Sequence, residues 1–364
     1  MTDPSAPAVA PVAPRVSQRT LLLLLAVVAV LLVLAIALLL RLLQPDALVV
    51  RGGEESAGLR PLIAIAGPGR GELPEFDRPM GGALDGEGRI WAADTANNRI
   101  VVFSSDGRYL FEIGGHGIAK PLPGVEPTWE EGLLNYPIGI DIDEEGIVYV
   151  ADFRNDQVQV FDDSGAFVRR FPDPLEVVGR GGSGQDGTGI AVTDVAVADG
   201  LVFAADTYQV VVFTAEGEFV RQFGRPGTGP GEFDHLTGID VTSDGLVLVA
   251  DSNNGRVQAL TADGEFVWSV GRSRSDGVVQ PDVVSDFGLP RDVATLDDGS
   301  IAVLDSFGFS IVLLSPELEV IGEFGTRGAN PGQLNFPNSI GTLGDTVIVS
   351  DKENGRVQVL EFVR

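Results

Sequence analysis

Four aspartates, Asp141, Asp194, Asp240 and Asp292, lie at similar places in short β-branched runs such as YPIGIDI (136–142) and LTGIDV (236–241). Carboxylates converging on one axis would offer hard oxygen ligands and suit Ca²⁺. Asp141 and Asp240 stand two residues beyond the places of Asp194 and Asp292, so the four do not share one register. The competing reading is that each carboxylate bonds neighbouring backbone. Other chemistry is scarce. The protein has no cysteine, which excludes disulfides and thiolate metal sites, and only two histidines, His116 and His235, too few for a three-histidine zinc centre. No G-x-S-x-G elbow occurs, and the Gly-rich stretch GGSGQDGTG (181–189) opens no helix, so it reads as a loop rather than a phosphate cradle.

A second kind of candidate is a contact residue. Trp129, Leu133, Leu134 and Tyr136 lie in or beside an insertion, GHGIAKPLPGVEPTWEEGLLN (115–135). Two readings stand side by side: an exposed hot spot for a partner, or a small satellite core over a blade edge. Met80, Thr237, Arg291 and Asn338 each begin an inner strand and are expected to ring one opening. Trp129, Leu133, Tyr136 and Arg291 are the partner-binding candidates.

These residues belong to a repeat. A β-branched run ending in Asp, a turn and a second run recur at Asp94, Asp152, Asp206, Asp251, Asp305 and Asp351, with spacings of 45 to 58 residues. Acidic-Gly pairs such as Asp85-Gly86, Asp199-Gly200, Asp244-Gly245 and Asp263-Gly264 mark hairpin turns between strands. Four strands per unit and a period near 50 specify propeller blades. The sixth copy ends at Arg364 after its third strand, while LIAIAGPGRGELPEFDRP (62–79) parallels FVRQFGRPGTGPGEFDHL (219–236). An N-terminal strand is therefore expected to complete the last blade, which closes the ring and fixes the count at six. The fold class expected is all-β, a six-bladed β-propeller of four-stranded antiparallel blades, preceded by one N-terminal transmembrane helix.

That helix is expected over 20–43, since Leu21–Leu40 is an uninterrupted apolar run long enough to cross a bilayer. Residues 1–19 form a Pro/Ala-rich tail expected to be disordered, 44–58 a linker and 59–364 the propeller. No small-residue cleavage site follows the apolar run, which favours an uncleaved anchor over a signal peptide. Arginines flank both ends, so charge alone does not orient it. The short leading tail suits a signal anchor that places the propeller outside the cytoplasm. The formal net charge is −27, and all of it falls on the propeller because the acids and bases of residues 1–58 balance. A domain so acidic repels phosphate, which argues against a nucleic-acid partner.

The motifs ADTANNRIVVF, ADSNNGRVQAL and SDKENGRVQVL, with the loop Gly224–Phe233, resemble the NHL-repeat family of six-bladed propellers. The resemblance covers residues 59–364 and includes membrane-anchored bacterial types. It implies a binding module: a sensor or scaffold with a protein partner, a second membrane protein included, or a cell-wall glycan. An alternative it implies is a lactonase-like hydrolase with Ca²⁺ in the channel. The related amidating lyases hold zinc through histidines, a set that His116 and His235 cannot supply. No catalytic residue and no cofactor other than Ca²⁺ is assigned. Asp and Arg five apart (Asp94/Arg99, Asp251/Arg256, Asp351/Arg356) read as architecture, with Asp holding the turn and Arg pairing between blades.

Overall fold

The computed structural model describes residues 50–51, 58–68, 75–119, 128–172, 190–271 and 287–363. The expected tail and transmembrane helix lie outside them. Among the described residues no helix is long and apolar enough to cross a membrane.

Alternating β-branched and polar residues build six antiparallel sheets. The inner strands are Pro79–Leu84, Pro137–Ile142, Val192–Ala198, Leu236–Val241, Pro290–Thr295 and Ser339–Leu343, defining blades 1 to 6. In blade 6 the outermost of the four repeat strands is Leu59–Ile65, paired antiparallel with Arg356–Phe362 from Leu59↔Phe362 to Ile65↔Val357. The ring thus closes through its first and last repeat strands, and no open edge is left at the seam. A two-residue strand, Val50–Arg51, falls in the segment read as linker and adds to this blade.

The apolar material collects between blades. Six buried clusters correspond to the six seams, each drawing on two neighbouring blades. Each is plugged by one apolar residue from the link that enters the second blade: Phe76, Leu134, Ile190, Phe233, Phe287 and Leu334. Burying a residue of this size contributes about 2 kcal/mol. The hairpin turns fall where acidic-Gly pairs predict, with Gly200 at φ 73° and Gly245 at φ 84°. In blade 1 the left-handed residue is Gly88 of Glu87-Gly88 rather than Gly86: the turn runs from Asp85 to Arg89 and matches that from Asp143 to Ile147 in blade 2, with Gly88 in the place of Gly146.

Candidate functional site

The six repeat aspartates share one task. Each is buried at the end of its blade's second strand and accepts an N–H from the link entering that blade. The donors are Asp77 to Asp94, Asn135 to Asp152, Ala191 to Asp206, Asp234 to Asp251, Leu289 to Asp305 and Asn335 to Asp351. In five blades the second oxygen takes side chains; in blade 5 Asp305 Oδ2 takes the Gly288 N–H instead. Arg256 Nε donates to Asp251 at 2.8 Å while its Nη2 donates to the carbonyls of Gly229 and Glu232. Arg356 does the same for Asp351 and the link carbonyls of Ala329, Asn330 and Gln333. The Asp–Arg pairs are architectural as expected. Arg256 and Arg356, however, clamp their own blade to the incoming link rather than pairing between blades, and Arg99 bridges Asp94 to Glu112 on the outer strand of its own blade. Gln157 and Gln209 replace the arginine in blades 2 and 3.

The inner-strand aspartates face a channel cavity of about 110 Å³, lined also by Ile140, Ile239, Ile340 and Thr342. Their oxygens are already engaged. Asp141 Oδ2 accepts the Val197 N–H at 2.7 Å, Asp194 Oδ2 that of Ile239 at 3.0 Å, Asp240 Oδ2 that of Thr295 at 2.6 Å and Asp292 Oδ2 that of Ile340 at 2.7 Å. Every bond runs to the next blade, so four seams are stitched in succession. The register offset seen in the sequence becomes two tiers, Asp141 with Asp240 and Asp194 with Asp292. Glycines make room: a Cβ on Gly139 would lie 2.1 Å from Asp194 Oδ1, and one on Gly238 would lie 2.3 Å from Asp292 Oδ1.

Burial, then the charge of Asp240, pushes the Asp141 carboxyl up to about 7. Burial pushes Asp292 up to about 7 as well, and it raises Asp240. Asp194 rises well above the usual carboxylate range through burial and the nearby Asp292. These carboxyls do not fit a Ca²⁺ site. Among the described residues no three acidic or histidine side chains gather as a ligand set, and hard cations want six or more oxygens.

The channel mouth is different. A belt of polar groups crosses it from blade to blade. Thr193 Oγ1 donates to the Leu236 carbonyl and Thr237 Oγ1 to that of Arg291. Arg291 Nη2 donates to Asn338 Oδ1, and Asn338 Nδ2 to the Met80 carbonyl. The residue just before the proline or leucine that leads into an inner strand is left-handed in four blades: Arg78 (φ 52°), Tyr136 (φ 62°), His235 (φ 68°) and Phe336 (φ 48°). Non-glycine residues seldom adopt this conformation, and such outliers concentrate at functional sites. The turns between second and third strands open on the same face and add Tyr208 and Phe307, which is 57% exposed. Phe307 meets Phe336 edge-on at 6.1 Å, and the Arg154 guanidinium covers Tyr136 at 4.3 Å.

Of the sequence candidates, Tyr136 and Arg291 thus stand at the mouth. Trp129 and Leu133 form a half-buried cap over blade 2. The Trp129 indole donates to the Leu133 carbonyl at 2.9 Å, meets Phe167 edge-on and lies under Arg170. Sequence reasoning passed over Phe307, Phe336 and Tyr208, whose signal was only an aromatic at a turn. It also gave His235 no place at the mouth. Elsewhere, Val168, Val220, Val267 and Ile321 are exposed on outer strands. Each sits at the bulge of its outer strand, and in two of the four blades a second exposed residue, Phe219 or Val320, adjoins it.

Comparison with known proteins agrees with the fold. Residues 134–161 match the NHL repeat model, and residues 188–271 match a family described as a 6-bladed beta-propeller. The E3 ubiquitin-protein ligase TRIM32 of Homo sapiens is 31% identical over 146 residues, 38% of this protein and 21% of that one. Protein brain tumor of Drosophila melanogaster is 25% identical over 40% of this sequence and 13% of its own length. The matched region therefore spans about a fifth or less of these relatives. Among solved structures, virginiamycin B lyase from Staphylococcus aureus aligns with a TM-score of 0.52 at 14% identity, over 88% of this protein and 97% of that one. A gluconolactonase from Xanthomonas campestris aligns at 0.52 and 11% identity, over 79% and 86%. At such identities the likeness is one of fold.

Proposed function

We propose that this protein is a membrane-anchored propeller that binds a protein partner through its channel-mouth face, displayed outside the cytoplasm. The observation that carries this reading is the division of labour around the axis. The channel carboxylates are spent on bonds between blades, whereas the mouth presents Tyr136, Tyr208, Phe307 and Phe336 with Arg154 and Arg291. Exposed aromatics and arginine on a rigid frame are what binding hot spots are made of. The likeness to a ubiquitin-protein ligase, named for acting on protein, supports a protein partner over a glycan. The apolar run Leu21–Leu40 supports the anchor. Alkaline phosphatase fused to the C-terminus is active only when exported, so an active fusion is the expected result and an inactive one places the propeller inside. A peptide-display library panned on the full-length protein in detergent should yield binders that are lost in Phe307→Ala and Tyr208→Ala. Binders indifferent to both substitutions would remove the mouth from the proposal.

A Ca²⁺-dependent lactonase is the second reading, favoured by the gluconolactonase fold alone. The engaged channel carboxylates weigh against it. Melting that is unchanged by a chelator, with no bound divalent ion in the purified protein, is the expected result.

A further inference from the structure

We propose that Arg291 is a carboxylate-binding anchor at the blade 5–blade 6 side of the mouth, taking an acidic group of the protein partner beside an apolar side chain that rests on Phe307 and Phe336. This rests on the protein-binding reading above. Arg291 is half-buried, and its one side-chain hydrogen bond among the described residues is Nη2 to Asn338 Oδ1 at 2.8 Å. A guanidinium has five N–H donors in a planar fork. Nε and Nη1 are therefore left to a ligand. Desolvation already lowers its basicity, offset only in part by Asp292, whose carboxylate oxygens are engaged by the Val293 and Ile340 N–H groups. The contrast with the clamping arginines is plain: Arg256 spends its donors on a carboxylate and two carbonyls, and Arg356 on a carboxylate and three. A desolvated guanidinium with spare donors at an opening is poised for a planar anion, which it can grip through two parallel bonds.

The neighbours narrow the ligand. His235 is near enough for Arg291 to help depress its basicity, after burial, so it stays neutral and adds no second positive charge. A singly charged carboxylate matches one guanidinium. A phosphate dianion would bring two charges into the field of a protein whose net charge is −27. Phe336 stands two residues from Asn338, the hydrogen-bond partner of Arg291, so the edge-on pair Phe307–Phe336 belongs to the same blade 5–blade 6 side of the mouth. The ligand is therefore a carboxylate next to an aromatic or aliphatic side chain. It can be supplied by an internal Asp or Glu or by the carboxyl end of a polypeptide.

The test uses the full-length protein in detergent with three probes, N-acetyl-phenylalanine, N-acetyl-aspartyl-phenylalaninamide and phenyl phosphate, and the amide of the first as a control. The readout is the Nε–H resonance of Arg291, assigned by its absence in Arg291→Gln. A saturable shift with the first probe and not with its amide indicates a C-terminal carboxylate, and one with the second an acidic side chain. Arg291→Gln, read by isothermal titration with the same probes because it lacks the resonance, should weaken binding about tenfold to a hundredfold. Asn338→Asp keeps the arginine but places a carboxylate on it, and it should block the probes; because it also loses the Nδ2–H bond to the Met80 carbonyl, its fold is checked by circular dichroism. The inference is overturned if no carboxylate shifts the resonance, if phenyl phosphate binds more tightly than either, or if Asn338→Asp binds as the parent does. Display peptides that still depend on Phe307 would in that case leave the mouth as the binding face and remove only the anchor.

Discussion

From blade 2 to blade 6 each inner strand but the last carries an aspartate that bonds the next blade's backbone; from blade 6 through blade 1 to blade 2, glycine replaces it. The strands read G-I-D in blades 2 and 4 and D-V-A in blades 3 and 5, but M-G-G-A in blade 1 and S-I-G in blade 6. A Cβ on Gly81 would lie 1.7 Å from the Ile138 carbonyl oxygen, and one on Gly341 would lie 2.9 Å from that of Gly82. In one region a carboxylate bonds across each seam, with Gly139 and Gly238 leaving room for it; in the other, glycines face the neighbouring backbone and no carboxylate bridges. The difference teaches that the channel's acidity is a packing solution confined to part of the ring. A catalytic quartet would instead be expected to hold its oxygens free.

The comparison can be broken most severely at a glycine. Gly238→Val puts a Cβ 2.5 Å from the Asp292 Cα as well as against its carboxylate, and should cost about 4 kcal/mol by urea unfolding. Gly86→Ala, with nothing within 4 Å, should stay within about 0.5 kcal/mol of the parent. Next comes the clamp: Arg256→Met strands the buried Asp251 and should cost about 3 kcal/mol. Asp292→Ala orphans the Ile340 and Val293 N–H groups and should cost about 2 kcal/mol, with Asp292→Asn costing visibly less because an amide oxygen still accepts.

A further effect is on pH dependence. Asp141 and Asp292 bind protons more tightly folded, at about 7, than unfolded, at the ordinary aspartate value of 3.8. The native state then holds more protons between those values, so their contribution is full below pH about 4 and is lost as pH rises through about 7. The melting temperature should fall from pH 5 to pH 8, and Asp141→Asn should flatten that slope. An unchanged slope would mean that the carboxyls titrate normally.

Much of this was legible in the sequence. The six Asp-terminated runs gave the blade count, and the likeness of 62–79 to 219–236 gave the closing strand, because a repeat states its own boundaries. The two-residue offset among Asp141, Asp194, Asp240 and Asp292 already showed two tiers. Their partners were not legible, because the bond from Asp141 to Val197 links residues that come together only when blade 3 packs on blade 2. Trp129 read equally as hot spot or cap, since what decides it is the packing against Phe167 and Arg170. The left-handed Tyr136 and Phe336 carry no compositional mark, unlike glycines in the same conformation. Their position before Pro137 and Pro337 was the available hint.

The central claim, that the mouth binds a protein while the channel and outer rim do not, is tested most directly by photo-crosslinking in the native cell. A benzophenone amino acid at Tyr208 or Phe307 should give a discrete protein adduct, lost in Arg291→Gln. The same probe at Val220, exposed on an outer strand, should give none. An adduct from Val220 with silence at Tyr208 and Phe307 would contradict the account.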